Sequence, residues 1–142
     1  MKNVQQILIS KPEKIFSVTS TTSVLDSLQK MTEKNVSALL IMNGEELLGI
    51  FTERDYARKI VLKGKSSKDT PIGEVMTKNP IVVQPTDSIE HCMQTMTAKH
   101  IRHLPVQSQG KVTGMISIGD VVKFIIDDQK QTISQLESYI NS

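Results

Sequence analysis

The strongest constraint in this sequence is its similarity to itself. Shifting the chain by 65 residues lays Val18–Asp55 onto Val83–Asp120 without a gap. The identical pairs include Val18/Val83, Ser23/Ser88, Gln29/Gln94, Met31/Met96, Leu39/Leu104, Gly49/Gly114 and Asp55/Asp120. Val24/Ile89, Val36/Ile101, Ile41/Val106 and Thr52/Ser117 keep their character. A shared register over this many positions indicates duplication, so the fold must be one unit built twice.

Each copy reads in the same order. A short β segment (Ile15–Thr19; Ile81–Gln84) leads into a Ser/Thr/Asp cluster that can cap a helix. In the second copy, Asp87 with Glu90 three residues later is spaced like a capping box. Apolar residues then recur at helical spacing: Val24, Leu28 and Met31, then Ile89, Met93 and Met96. The dense apolar runs at 37–42 and 104–106 predict buried strands. Polar turns at 43–46 and 108–111 predict hairpins into return strands at 47–51 and 112–116. A closing helix begins near Thr52 or Ser117, where the hydroxyl can cap it. The predicted class is α+β, two β-α-β-β-α repeats. Residues 1–62 form the first, 63–71 a polar linker, 72–128 the second, and 129–142 an amphipathic helix carrying Ile133, Leu136 and Ile140. That helix faces either the body or a second chain. Val4, Ile7 and Leu8 match Ile72, Val75 and Met76 at a shift of 68, so a short apolar segment precedes each repeat.

Composition narrows the partners. With 17 Lys+Arg against 15 Asp+Glu, the net charge of +2 gives no general field for nucleic acid or a membrane surface. No run approaches the ~18 apolar residues of a membrane span. The lone Cys92 cannot form an internal disulfide, and no secretory or transit signal is legible in MKNVQQILISKPEK. A cytoplasmic location is therefore expected. Gly64-Lys65-Ser66 imitates the end of a phosphate-binding loop, but Lys59 stands where that motif needs its first Gly. His91 and His100 have no second ligand at metal spacing, so no metal site is expected.

Two heptapeptides carry the chemistry: Gly49-Ile50-Phe51-Thr52-Glu53-Arg54-Asp55 and Gly114-Met115-Ile116-Ser117-Ile118-Gly119-Asp120. In each, a hydroxyl opens a helix beside unpaired N–H groups and the positive end of the helix dipole, where a phosphate is stabilised. One turn on, a carboxylate can accept both hydroxyls of a ribose. The apolar strand residues before each hydroxyl suit the face of a purine.

These heptapeptides, with Ile101-Arg102-His103-Leu104-Pro105-Val106, resemble the signature blocks of the cystathionine-β-synthase (CBS) domain. The whole chain resembles a stand-alone CBS pair. The resemblance implies two repeats packed with pseudo-two-fold symmetry around two clefts, a tendency to dimerise into a disc, and ligands such as AMP, ADP, ATP, NAD or S-adenosylmethionine. It also implies that the signature of one repeat faces the Arg-His-Leu-Pro block of the other. Thr52, Arg54 and Asp55 would then share one cleft with Arg102 and His103, two guanidinium groups and an imidazole forming a phosphate clamp. Ser117, Gly119 and Asp120 would share the other with Ser37 and Ala38, without a cation. The first cleft is expected to bind the phosphates of an adenine nucleotide. The second is expected to bind weakly, to take only a nucleoside, or to stay empty. The expected function is a nucleotide-sensing homodimer that acts on an unidentified regulated protein. The alternative is a ligand-free interaction scaffold. Catalytic residues are not expected: a small nucleotide hydrolase fits less well, because these groups suit holding phosphates rather than activating water.

Overall fold

The computed structural model describes residues 2–11 and 15–141. Residue 1, residues 12–14 and residue 142 lie outside the description, and with them parts of the amino-terminal stretch and of the tail.

The two repeats share register down to their irregularities. In the first, β1 (Ser17–Val18) runs parallel to β2 (Ala38–Asn43), which pairs antiparallel with β3 (Glu46–Thr52). In the second, β5 (His103–Ser108) pairs antiparallel with β6 (Lys111–Ser117). Ala38↔Thr52 and His103↔Ser117 are the same pairing 65 residues apart, and both hairpins bulge at the same place, after Ile41 and after Val106. The hairpin turns need positive φ, supplied by Gly44 (+60°) in one and by Gln109 (+54°) and Gly110 (+78°) in the other.

The expected strand at 81–84 shrinks to a single parallel bridge, Val83↔Val106. The reason is Pro105. Leu40, its counterpart, donates its N–H to the Phe16 carbonyl at 2.9 Å, and Pro105 has no N–H to give.

The helices begin and end where the sequence chemistry puts them. Ser23 caps α2 (Val24–Lys34) by accepting from Asp26 N–H, and Ser88 caps α4 (Ile89–Lys99) by accepting from His91 N–H, each at 3.0 Å. Both helices stop at a left-handed residue, Asn35 (φ 54°) and His100 (φ 55°). The expected Asp87/Glu90 capping pair does not form, because Ser88 already serves the helix. The Asp87 carboxylate instead accepts from the Gln84 amide at 2.8 Å. After β3, the chain makes one α turn, α3 (Glu53–Asp55), then winds wider through Tyr56–Val61, with Leu62 N–H bonded to Ala57 O. After β6, the closing helix and the tail form one continuous helix, α5 (Ile118–Asn141), rather than two elements divided at 128.

The leading segments cross over. α1 (Val4–Ser10) buries Val4, Ile7 and Leu8 against Val83, Ile89, Cys92, Leu104 and Ile116 of the second repeat. Ile72 and Val75, which precede the second repeat, pack with Val24, Met31, Leu39 and Phe51 of the first. β4 (Thr77–Lys78) then joins the first sheet beside β3. Gly49 permits this, because a Cβ there would lie 2.6 Å from Met76 Sδ and 2.7 Å from Thr77 O. A third cluster, Ala38, Leu40, Ile50 and Met115, lies between the two hairpins. Alternate residues of β2 thus serve different cores, Leu39 and Ile41 one and Ala38 and Leu40 the other. This is why that run is apolar on both faces. The fold is α+β, two pseudo-symmetric repeats each completed by a segment of the other.

Leu8→Ala should cost about 2–5 kcal/mol in denaturant unfolding, as for other fully buried leucines. Because Leu8 lies in the other core, native-state hydrogen exchange should show protection lost first in α4 and β5, not in α2 and β2.

Candidate functional site

Both signature motifs fold as capping boxes. Thr52 Oγ1 accepts from Asp55 N–H at 3.3 Å, while the Asp55 carboxylate accepts from Thr52 N–H at 3.0 Å. Ser117 and Asp120 do the same at 3.1 and 2.8 Å. The hydroxyl-to-carboxylate spacing therefore has a structural role, closing the helix start reciprocally. Any ligand must act on carboxylates already in use.

Thr52, Arg54, Asp55, Arg102 and His103 line one cleft of about 790 Å³. Ser37 lines it too. Its expected place was the other cleft, but its Oγ lies 3.0 Å from His103 Nε2, and that bond holds it on this side. Ala38 lines neither cleft and is fully buried between the hairpins.

Four cations, Arg54, Arg58, Lys59 and Arg102, line this first cleft against two carboxylates, Glu53 and Asp55. Their states differ. Arg54 Nη1 donates to the His100 carbonyl at 2.8 Å, docking the first repeat onto the end of α4. Lys59 Nζ pairs with Asp55 Oδ1 at 3.1 Å, and Thr77 Oγ1 donates to the same oxygen at 3.0 Å. Asp55, 8% exposed, thus has both oxygens occupied by its own chain. Arg58 and Arg102 are exposed at the cleft wall. Apolar lining comes from Ile50, Pro80 and Ile81. Among the described residues, no group of His, Cys, Asp and Glu is placed to hold a metal ion.

His103 does not contribute a cation at neutral pH. Burial lowers its imidazole below the ordinary value, and Lys11 and Arg102 add to the lowering against the pull of Asp120. The imidazole beside the two guanidinium groups is thus a neutral one, held by Ser37.

The second cleft, about 450 Å³, lies between α1 and α5. Asp120 lines it, while Ser117 and Gly119 do not. It shares Asp120 alone with the residues expected at the second site, and it contains cations. Lys11 Nζ sits 2.9 Å from Asp120 Oδ2 and donates to Met115 O at 2.7 Å. Burial tends to raise the Asp120 carboxyl, but Lys11 and the Ser117 amide outweigh it and leave it below the usual carboxylate value. Lys2 and Lys123 face Asp127 and Asp128 in the same groove, so the lining charge balances.

Sequence comparison agrees with this architecture. The family profile described as the CBS domain matches residues 4–62 and 72–127. The chain belongs to the CBS domain family. The CBS domain-containing protein CBSX3, mitochondrial, of Arabidopsis thaliana is 42% identical over 127 residues. That match covers 86% of this chain but 62% of the relative, so the chain spans less than two thirds of it. A solved CBS-domain protein from Burkholderia ambifaria superimposes with a TM-score of 0.87 at 47% identity, covering 90% of this chain and 96% of that one. The CBS domain pair of protein MJ0100, solved with 5′-methylthioadenosine and S-adenosyl-L-methionine, gives a TM-score of 0.79 at 25% identity over 90% and 98% of the two chains. Among the described residues, no helix of this CBS pair is long and apolar enough to cross a membrane.

Because folding lowers the His103 pKa, the unfolded chain binds more protons as pH falls through the ordinary value of 6.5. Stability should therefore be full above that value and fall as pH drops through it. His103→Gln, which can keep the Ser37 bond, should flatten the decline between pH 7 and 5 in denaturant unfolding. An unchanged slope would remove His103 from this role.

Proposed function

We propose that this CBS pair is a regulatory module that binds an adenine nucleotide (AMP, ADP, ATP or NAD) in the first cleft. CBS domain pairs commonly hold adenine nucleotides or S-adenosylmethionine-like ligands, and the two ligands in the MJ0100 complex both carry an adenosine. The observation that carries the reading is the surplus of cations in one cleft only. Arg54, Arg58 and Arg102 converge there from both repeats beside the opening turn of α3. In the second cleft the lining charge balances and Lys11 already holds Asp120.

In this reading, Arg102 and Arg58 hold phosphate oxygens through charge-assisted hydrogen bonds. Thr52 and His103 supply neutral hydrogen-bond partners. Ile50, Pro80 and Ile81 receive the purine. Asp55 accepts ribose hydroxyls only by giving up Thr77 or Lys59. Binding therefore exchanges contacts inside the cleft, which provides the difference between states that a ligand needs to shift a population. The backbone offers a route outward, because Ile118 N–H at the start of α5 donates to Arg102 O at 2.9 Å. The functional unit is both repeats with the linker at 63–71, and its output passes to a second copy or to a regulated protein. The lone, buried Cys92 calls for no disulfide partner, and the cytoplasm is the compartment proposed.

One observation favours a second reading, the ligand-free scaffold. Both signature carboxylates are satisfied within the chain, so neither cleft requires a ligand to complete it.

Calorimetry and thermal melting separate the two. ATP at 100 times its dissociation constant should add about 2.7 kcal/mol of stability. Arg102→Ala should weaken binding by about tenfold or more, the loss of one charged hydrogen bond. Lys123→Ala, in the second cleft, should leave affinity unchanged. Absence of heat and stabilisation with AMP, ATP, NAD and S-adenosylmethionine would favour the scaffold.

A further inference from the structure

α1 ends on a cation, Lys11, which is its C-cap residue. The side chain reaches the opening turn of α5, 109 positions further along the chain. There Nζ sits 2.9 Å from Asp120 Oδ2 and 2.7 Å from Met115 O. The lysine side chain is only 21% exposed, so solvent and salt screen this pair less than an open surface pair. The backbone that carries it is anchored, because Val4, Ile7 and Leu8 of α1 are buried in the second core.

The ammonium covers half of an acceptor. Asp120 Oδ2 accepts from Lys11 and from the Ser117 amide, while Oδ1 takes no hydrogen bond among the described residues. A ribose diol engages both oxygens of a carboxylate. The first cleft is closed differently. Asn79, the counterpart of Lys11 at the 68-residue shift, forms no hydrogen bond with Asp55 among the described residues. Asp55 is paired by Lys59 of its own repeat, a side chain 39% exposed, and Arg58 and Arg102 remain nearby to draw a phosphate.

The rest of the lining defines what the second cleft would take. Ile7 and Phe124 offer apolar surface, and the volume of about 450 Å³ lies within the roughly 300–1,000 Å³ of small-molecule sites. Without Lys11, the charged lining is Lys2 and Lys123 against Asp120, Asp127 and Asp128, a negative surplus. Phosphate is disfavoured there, and an uncharged nucleoside fits. Such a nucleoside cannot displace the lysine. Its hydroxyls are neutral, and they would leave a largely buried ammonium without its counter-ion.

We propose that Lys11 is a built-in plug. By holding Asp120 it keeps an uncharged purine nucleoside out of the second cleft, and a single substitution opens that site. The proposal rests on the reading of these clefts as adenosine sites.

Native mass spectrometry counts adenosine on the parent chain and on Lys11→Ala, with thermal melting to show that the variant is folded. Lys11→Ala should bind one adenosine more than the parent and no additional ATP. Lys11→Arg, which keeps the cation, should match the parent. Should the alanine variant fail to fold, Lys11→Gln removes the charge while keeping most of the side chain. The readout is a difference between two chains, so it does not need an occupied first cleft. A parent chain that takes up no ATP defeats the nucleotide reading, while the gain of adenosine in Lys11→Ala is still measured. An unchanged adenosine count in the folded neutral variant would overturn the proposal. So would a gain in Lys11→Arg, or entry of a second ATP.

Discussion

Everything in this molecule depends on the crossing of its leading segments. α1 completes the core of the second repeat, and the segment around Ile72 and Val75 completes the core of the first. Neither repeat can bury its apolar face with its own residues alone. Each fully buried Ile or Leu contributes on the order of 1.5–3 kcal/mol, so the crossed residues represent a large share of a marginal total. The shared layer of Ala38, Leu40, Ile50 and Met115 fastens the hairpins to each other. Each repeat therefore depends on the other for part of its core.

The same crossing makes the two clefts unequal. Each crossed segment ends beside the signature carboxylate of the other repeat. Lys11 arrives at Asp120, while Thr77 and Asn79 arrive at the first cleft. Lys11 and Asn79 are counterparts at the 68-residue shift. Likewise Arg102 and Ser37 are counterparts at the 65-residue shift, and both lie on the first cleft. The second cleft spends its lysine on an internal ion pair, and the first keeps Arg58 and Arg102 exposed at its wall. Arg54 and Lys59 have Gly119 and Phe124 as their counterparts at the same shift, so differences in sequence between the copies separate a cation-rich cleft from a balanced one.

Much of this was legible from residues. The duplication set the hairpin register, because both copies carry the same polar turn and the same alternation. The caps at Ser23 and Ser88 followed from their position before an apolar helical stripe. The convergence of Thr52, Arg54 and Asp55 with Arg102 and His103 followed from the family resemblance. Lys11 was missed because it lies outside the aligned repeat, where only the crossing brings it to Asp120. The neutral state of His103 and the burial of Ala38 depend on desolvation, which a one-dimensional pattern does not carry. Ser37 was misplaced because its side chain turns to His103 across the pseudo-symmetric interface. The loss of the strand at 81–84 could have been read from Pro105 facing it.

The central claim is that one cleft of two is a nucleotide site. Native mass spectrometry of the intact chain, titrated with ATP, tests it most directly. The account predicts saturation at one nucleotide per chain, with the midpoint of that single adduct moved to about tenfold more ATP or beyond in Arg102→Ala. Two nucleotides per chain, or a midpoint unmoved by Arg102→Ala, would contradict it.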